Sequence, residues 1–508
     1  MSVSDFLLPF ADRHRDLKAV KAFYERGWHR GAGFLLLYGR KGVGKTRLLQ
    51  QFLQEQAISD DFYWYSPSGD AAAQLQDFSQ TLLRYDPGGE PLPSSDNFSF
   101  FNWWVALDHL AQIAERSGET KLFILEGFTE LCHQSMGLSS YFQHAWDHRL
   151  KEIPNLRLIL TGSHISTMIH EVLAYSAPLY FRANANLYLK PLRYTALLDL
   201  FPDHKLEERL IIYAITGDIP AYLTYFAQIP DLLTAIEKLC FAPDSSFLSD
   251  METLFDERLE EPALCQALLT AVAEGYSNPD SLSRRVGVPY DDLQRHLYFL
   301  RLVKLIEDRR SVHDPIASLR VRHVIAEPSL SFYYQHLKPA LGRESAKETT
   351  ATVYANVREA LGGEPFIALC REWVWAAAAT KQLSIQPQKV GTYWNDHMPT
   401  REFTIAVVDS WQKQLLVGEA FWETDHLTAA ALEEVVHDSH QLPKVQEEGW
   451  TVEQIIFSRW PFTQEIQALA AVTGVRLVTP AEIEPLLLTA RAQRRWERDN
   501  PSPIEIEF

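Results

Sequence analysis

An α/β fold built on a parallel sheet is predicted by three observations. Phe34-Leu35-Leu36-Leu37-Tyr38 is a continuous apolar run, as expected of a strand buried on both faces of such a sheet. It runs directly into Gly39-Arg40-Lys41-Gly42-Val43-Gly44-Lys45-Thr46, a GxxxxGKT loop. The following residues, Arg47 to Leu53, carry apolar side chains at helical spacing. Strand, glycine-rich loop and helix in this order are the context that a P-loop requires.

Each loop residue type has a chemical reason. Gly39, Gly42 and Gly44 let the backbone curl until its N–H groups converge on phosphate oxygens. The start of the helix adds partial positive charge. Lys45 is the candidate for the β- and γ-phosphates and for catalysis, and the Thr46 hydroxyl is the candidate Mg²⁺ ligand. Arg40, Lys41, Val43 and Arg47 complete the candidate nucleotide-binding set. The expected ligands are ATP and Mg²⁺.

Lys121 to Glu126 reads as a second buried strand. Glu126 is the candidate for the metal shell and for catalysis. The next position, where a second acid would orient the attacking water, is Gly127. Loss of such a group costs ~10²–10⁴-fold in rate, so nucleotide binding with slow or absent hydrolysis is expected. Glu130, one turn further on, is either a substitute or a solvated acid. A third strand, Leu156 to Thr161, ends in Gly162-Ser163. Ser163 is a candidate γ-phosphate sensor, an N-cap for the helix that follows, or both.

The chain has 508 residues, too many for one ordinary core, and three domains are expected. A net charge of −18 argues against a protein that coats nucleic acid through global charge, but leaves room for a local basic patch. The four cysteines form no CxxC pair, which argues against a zinc site or a disulfide framework. The N-terminus lacks signal-peptide character and no apolar run has the length of a membrane span. A cytoplasmic protein without membrane contact is expected.

Read in order, four segments share a pattern: Asp12-Arg13-His14-Arg15-Asp16-Leu17, Tyr38-Gly39-Arg40-Lys41, Ser176-Ala177-Pro178-Leu179-Tyr180-Phe181-Arg182 and Thr216-Gly217-Asp218-Ile219-Pro220-Ala221-Tyr222-Leu223. They resemble the archaeal-type ATPase family, a P-loop group in the AAA+/STAND neighbourhood. The resemblance implies a helical lid around Thr216–Leu223. It also makes Arg182 a candidate catalytic arginine, reaching a γ-phosphate within its own subunit or from a neighbour in a homo-oligomer. The alternative for Arg182 is a surface arginine ending a strand. The departure from the family is Glu126-Gly127, where the family has Asp-Glu.

In the middle region, Ser281 to Val286 reads as a short helix closed by Gly287. Pro289 opens a longer helix through Leu300, and Val303 to Glu307 returns as a strand. Helix, turn, helix and hairpin form a winged-helix pattern. Arg284, Arg285, Arg295, Arg309 and Arg310 make it locally basic, so DNA is a candidate partner, with Arg295 offered to a groove. Packing between domains is the alternative reading, favoured by Asp291 and Asp292.

Residues 346–355 read as a polar linker edge. Beyond them, a helix at Phe366–Trp375 precedes strands at 403–408, 414–419, 454–458 and 475–478. This part resembles the restriction-endonuclease-like domain that often follows the archaeal-type ATPase module. Glu402-Phe403-Thr404 and Glu419-Ala420-Phe421 stand where that fold carries its metal-holding Asp and its Lys, which implies a degenerate, inactive centre. The expected organisation is therefore a P-loop domain with helical lid over 1–240, a winged helix over 241–342, a nuclease-like α/β domain over 343–490 and a tail over 491–508. In the tail, alternating Ile504, Ile506 and Phe508 suggest an edge strand. Three functions stay open: a nucleotide-dependent switch for assembly or DNA binding, a DNA-processing ATPase and nuclease, and an assembly protein using ATP as a stabilising ligand.

Overall fold

The structure, a computed structural model, describes residues 8–26, 31–59, 61–67, 69–86, 98–243, 245–254, 261–315, 318, 320–342, 346–395, 402–423 and 427–492. Its first sheet comprises β1 (Gly33–Tyr38), β2 (Asp61–Tyr65), β3 (Lys121–Glu126), β4 (Leu156–Gly162) and β5 (Ala185–Tyr188). All pairs are parallel, in the order β2-β3-β4-β1-β5. Every residue of β1 and β4 is buried. Alternation explains this: Phe34, Leu36 and Tyr38 enter one apolar cluster, while Leu35 and Leu37 enter another on the opposite face. The register pairs Tyr38 with Gly162 and Tyr65 with Glu126, so the loops leaving β1, β3 and β4 open at one sheet edge.

Two helices, Leu206–Thr216 and Pro220–Gln228, follow the sheet. Gly217 ends the first in the left-handed region at φ 56°. Pro220 opens the second, where a missing N–H costs nothing. The start of this second helix lies on the glycine-rich loop: Ala221 N–H donates to Gly42 O at 3.2 Å.

The middle region contains helices Pro262–Ala273, Pro279–Val286 and Tyr290–Leu302, then the antiparallel pair β6 (Ile306–Arg309) and β7 (Arg322–Ile325). Gly287 closes the short helix at φ 77°, as expected. Pro289 is the N-cap rather than the first helical residue. The strand starts at Ile306 instead of Val303, because the long helix runs on to Leu302 and Lys304 turns at φ 62°.

The second five-stranded sheet comprises β8 (Lys389–Trp394), β9 (Glu402–Asp409), β10 (Gln414–Phe421), β11 (Thr451–Ser458) and β12 (Arg476–Val478). Its order is β12-β11-β10-β9-β8, antiparallel from β8 to β10 and parallel from β10 to β12. The polar segment after 345 is not a linker edge. It is the helix Ala346–Ala360, which buries Thr349, Thr350, Val353 and Val357 on one face. Its polarity hides the pattern, because two of the four buried positions are threonines. One apolar cluster runs from the lid through the middle region into the second sheet, joining Ile215, Leu297, Val353, Trp373 and Phe457. The tail strand expected at 504–508 lies outside the described residues.

Candidate functional site

The loop between β1 and the helix Lys45–Glu55 borders a cavity of about 340 Å³. Gly42 and Gly44 turn at φ 78° and 99°, where a side chain would be strained. Space also requires glycine at position 42, since an added Cβ would stand 2.7 Å from Ala221 Cβ. Arg13 braces the loop from below. Its buried guanidinium donates to Val43 O at 2.8 Å and pairs with Asp16 at 3.3 Å.

Lys45 is buried and folded back over the loop. Its Nζ donates to Gly39 O at 2.8 Å and to Arg40 O at 3.1 Å. Burial pushes its pKa down to about 8, against the opposing pull of Glu126 and Glu130. Thr46 Oγ1 donates to Glu126 Oε1, and Tyr63 Oη donates to Glu126 Oε2. Burial and the Glu126 carboxylate hold the Tyr63 phenol far above its ordinary pKa, so it remains a donor. Thr46 and Glu126 thus meet as two hard oxygen ligands beside the loop, a donor set that suits a small divalent cation taking its other ligands from phosphate and water. Among the described residues no group of three or more acids, histidines or cysteines could hold a metal by itself.

The cavity gathers Lys41, Gly42, Val43, Gly44, Lys45, Thr46, Arg47, Glu126 and Ser163. Ser163 N–H donates to Thr129 Oγ1 at 3.1 Å. The helix after it is capped by His164, without a side-chain bond, so the N-cap reading of Ser163 does not hold. Sequence reasoning missed the apolar end of the cavity, formed by Leu8, Pro9, Phe10 and Ala11 with Leu192, Leu200, Pro220 and Thr224. Arg47 lies over the Phe10 ring at 5.8 Å. The signal lay in Asp12-Arg13, whose side chains hold this segment in place: Asp12 Oδ2 accepts from Arg193 N–H at 2.9 Å.

Two candidates stand away from the cavity lining. The Arg40 side chain does not line the cavity. Its buried guanidinium turns away to form an ion pair with Glu327, with Ser329 Oγ at 3.4 Å. Arg182 lies outside the cavity lining and is forked onto Asp147, with Nη2 2.9 Å from Oδ2. In this structure its guanidinium is engaged by a partner that the sequence does not announce. Lys41 lines the cavity and also pairs with Asp250 at 3.1 Å.

The arginines of the middle region are largely paired. Arg285 binds Glu274 at 2.7 Å, Arg295 binds Glu261, and Arg309 binds Glu364 at 2.7 Å and Glu307 at 3.0 Å. Arg284 and Arg310 donate to the carbonyls of Asp280 and Ser318. In the second sheet, Glu402 is held by Arg322 at 2.5 Å, while Thr404 Oγ1 donates to Glu419 Oε2 at 2.7 Å. No helix among the described residues is long and apolar enough to cross a membrane.

Comparison with known proteins agrees with the loop geometry. Residues 10–226 match the family described as an ATPase domain predominantly from Archaea, and residues 332–435 match a family of archaeal and bacterial proteins of unknown function. An uncharacterized protein of Methanocaldococcus jannaschii is 26% identical over 415 residues, spanning 82% of this chain and 88% of its own. The Walker-type ATPase of Pyrococcus abyssi is similar over 64% of this chain and 96% of its own, at 19% identity and a TM-score of 0.48. The ORC2 protein of Aeropyrum pernix is similar over 70% of this chain and 96% of its own, at 14% identity and a TM-score of 0.41. Residues 10–226 are thus similar to an ATPase-domain family found predominantly in Archaea, and residues 332–435 to a family of unknown function.

Proposed function

We propose that the chain is a switch controlled by ATP and Mg²⁺. One observation carries this reading: Lys45 Nζ is bonded to the carbonyl of Arg40, whose own guanidinium is buried against Glu327. Moving the Lys45 ammonium onto a triphosphate removes a bond from the Arg40 peptide. The ion pair passes that change to the helix Pro328–Phe332, and the Lys41–Asp250 pair passes it to the helix Ser246–Glu252. Thr46 and Glu126 are the candidate Mg²⁺ ligands, and Ser163 faces the phosphate end.

Hydrogen exchange with and without Mg-ATP tests the switch. Slower or faster exchange in Ser246–Glu252 and Pro328–Phe332, absent in Lys45→Ala, is the expected result. Tight ATP binding with unchanged exchange in both helices would leave only a stabilising ligand.

What the switch controls is a separate part of the proposal. The helix–helix–hairpin order of the middle region supports a winged helix, but the pairing of Arg285, Arg295 and Arg309 favours packing between domains over DNA contact. The mixed order of the second sheet supports a nuclease-like ancestry. Thr404 and Phe421, in place of an acid and an ammonium, support a role in assembly rather than cleavage.

A further inference from the structure

We infer that Glu130 replaces the acid missing at position 127 and orients the water that attacks the γ-phosphate. The inference rests on the reading of the cavity as an ATP site. Gly127 turns at φ 86°, so β3 hands the chain directly into the helix Phe128–Gln134. This turn brings position 130 back over position 127: Glu130 Oε2 lies 3.6 Å from the point where a Cβ on Gly127 would stand. A side chain at 127 would also meet Ser66 Cβ at 3.1 Å. The space that the glycine leaves is thus bordered by a carboxylate from the next turn.

That carboxylate is positioned rather than loosely solvated. Thr129 Oγ1 donates to Glu130 Oε2 at 2.7 Å, and Thr129 Oγ1 in turn accepts from Ser163 N–H at 3.1 Å, tying Glu130 to the tip of β4. Glu130 lines the same cavity as Lys45 and Thr46, and its charge favours the protonated Lys45. The other acid is committed: both oxygens of Glu126 accept hydrogen bonds, from Thr46 and Tyr63. Among the described residues, Glu130 Oε1 has His164 Nε2 at 3.8 Å, beyond hydrogen-bond distance.

In the reaction, the water oxygen bonds to the γ-phosphorus while a water proton passes to Glu130 Oε1. The bond from the γ-phosphorus to the bridging oxygen breaks, and its electron pair leaves with the diphosphate. The proton then returns to the inorganic phosphate released.

The test compares wild type, Glu130→Gln, Glu130→Asp and Lys45→Ala for Mg-ATP affinity by calorimetry and for phosphate release. Glu130→Gln is expected to bind Mg-ATP about as tightly as wild type and to release phosphate ~10²-fold more slowly or worse, with Glu130→Asp recovering part of the rate. Equal rates in Glu130→Gln and wild type would overturn the inference. So would wild-type binding without Lys45-dependent release, or a Glu130→Gln defect confined to affinity. Wild type that binds no ATP would overturn the underlying reading as well, through the calorimetric arm alone.

Discussion

Arg40 and Glu327 form a buried ion pair across 287 positions of sequence, with both side chains almost wholly removed from solvent. One partner is the second residue of the glycine-rich loop, and the other caps the helix Pro328–Phe332. The loop is thereby anchored to the part of the chain that follows residues 10–226. An ion pair in this setting contributes little net stability but is costly to break from one side.

Arg40→Ala and Glu327→Ala are therefore each expected to destabilise the fold by ~3–5 kcal/mol, because each strands a buried charge. The apolar double replacement Arg40→Met with Glu327→Leu should cost less than either single change. Urea titrations of the four proteins measure this directly. Equal, additive losses would mean that the pair is not coupled.

On the proposed function, Lys45 is expected to make nucleotide binding pH-dependent. In the free protein burial holds its pKa at about 8, and a bound triphosphate raises it. Binding near pH 8.5 should therefore take up a fraction of a proton, and affinity should fall as pH rises above about 8. Calorimetry in two buffers of different ionisation enthalpy reads the uptake, which Lys45→Ala should abolish. For folding the sign is opposite. The lowered native pKa means that the unfolded chain holds more protons between about 8 and the ordinary lysine value, so this residue's penalty is full below pH 8 and fades above it.

Tyr63 fixes the Glu126 carboxylate through a charge-assisted hydrogen bond. Tyr63→Phe should cost ~1.5–3 kcal/mol of stability. It should also weaken ATP affinity measured with Mg²⁺ more than affinity measured without it, since the metal-facing oxygen of Glu126 loses its orientation. A uniform change under both conditions would assign Tyr63 to the core alone.

Gly42 sits where both torsion and space forbid a side chain. Gly42→Ala should destabilise by more than ~1 kcal/mol and weaken nucleotide binding. Ala221→Gly in the same protein should restore only the steric part, because the added methyl lies 2.7 Å from Ala221 Cβ but the positive φ remains. Full rescue would show that the torsion carries no cost.

Much of the local structure was legible in the sequence. The apolar run at 34–38, the glycine spacing of the loop and the strand at 121–126 depend on neighbours a few residues away, and the structure has β1, the P-loop and β3 at those places. The helix Ala346–Ala360 was not legible, because its buried face carries Thr349 and Thr350, and polar residues obscure an apolar period. The apolar end of the cavity was missed because Leu8–Ala11 and Leu192 have no signature beyond being apolar.

The sequence by itself determined that a glycine-rich GxxxxGKT loop exists and which strand and helix flank it, since backbone torsion and apolar periodicity act over a few residues. Only the tertiary structure decided which charges meet. Arg40 goes to Glu327, Arg182 goes to Asp147, Arg295 goes to Glu261, and Glu130 folds over Gly127. A charged side chain is satisfied by whatever packing brings within a few ångströms, and that distance is set by the whole fold rather than by position along the chain.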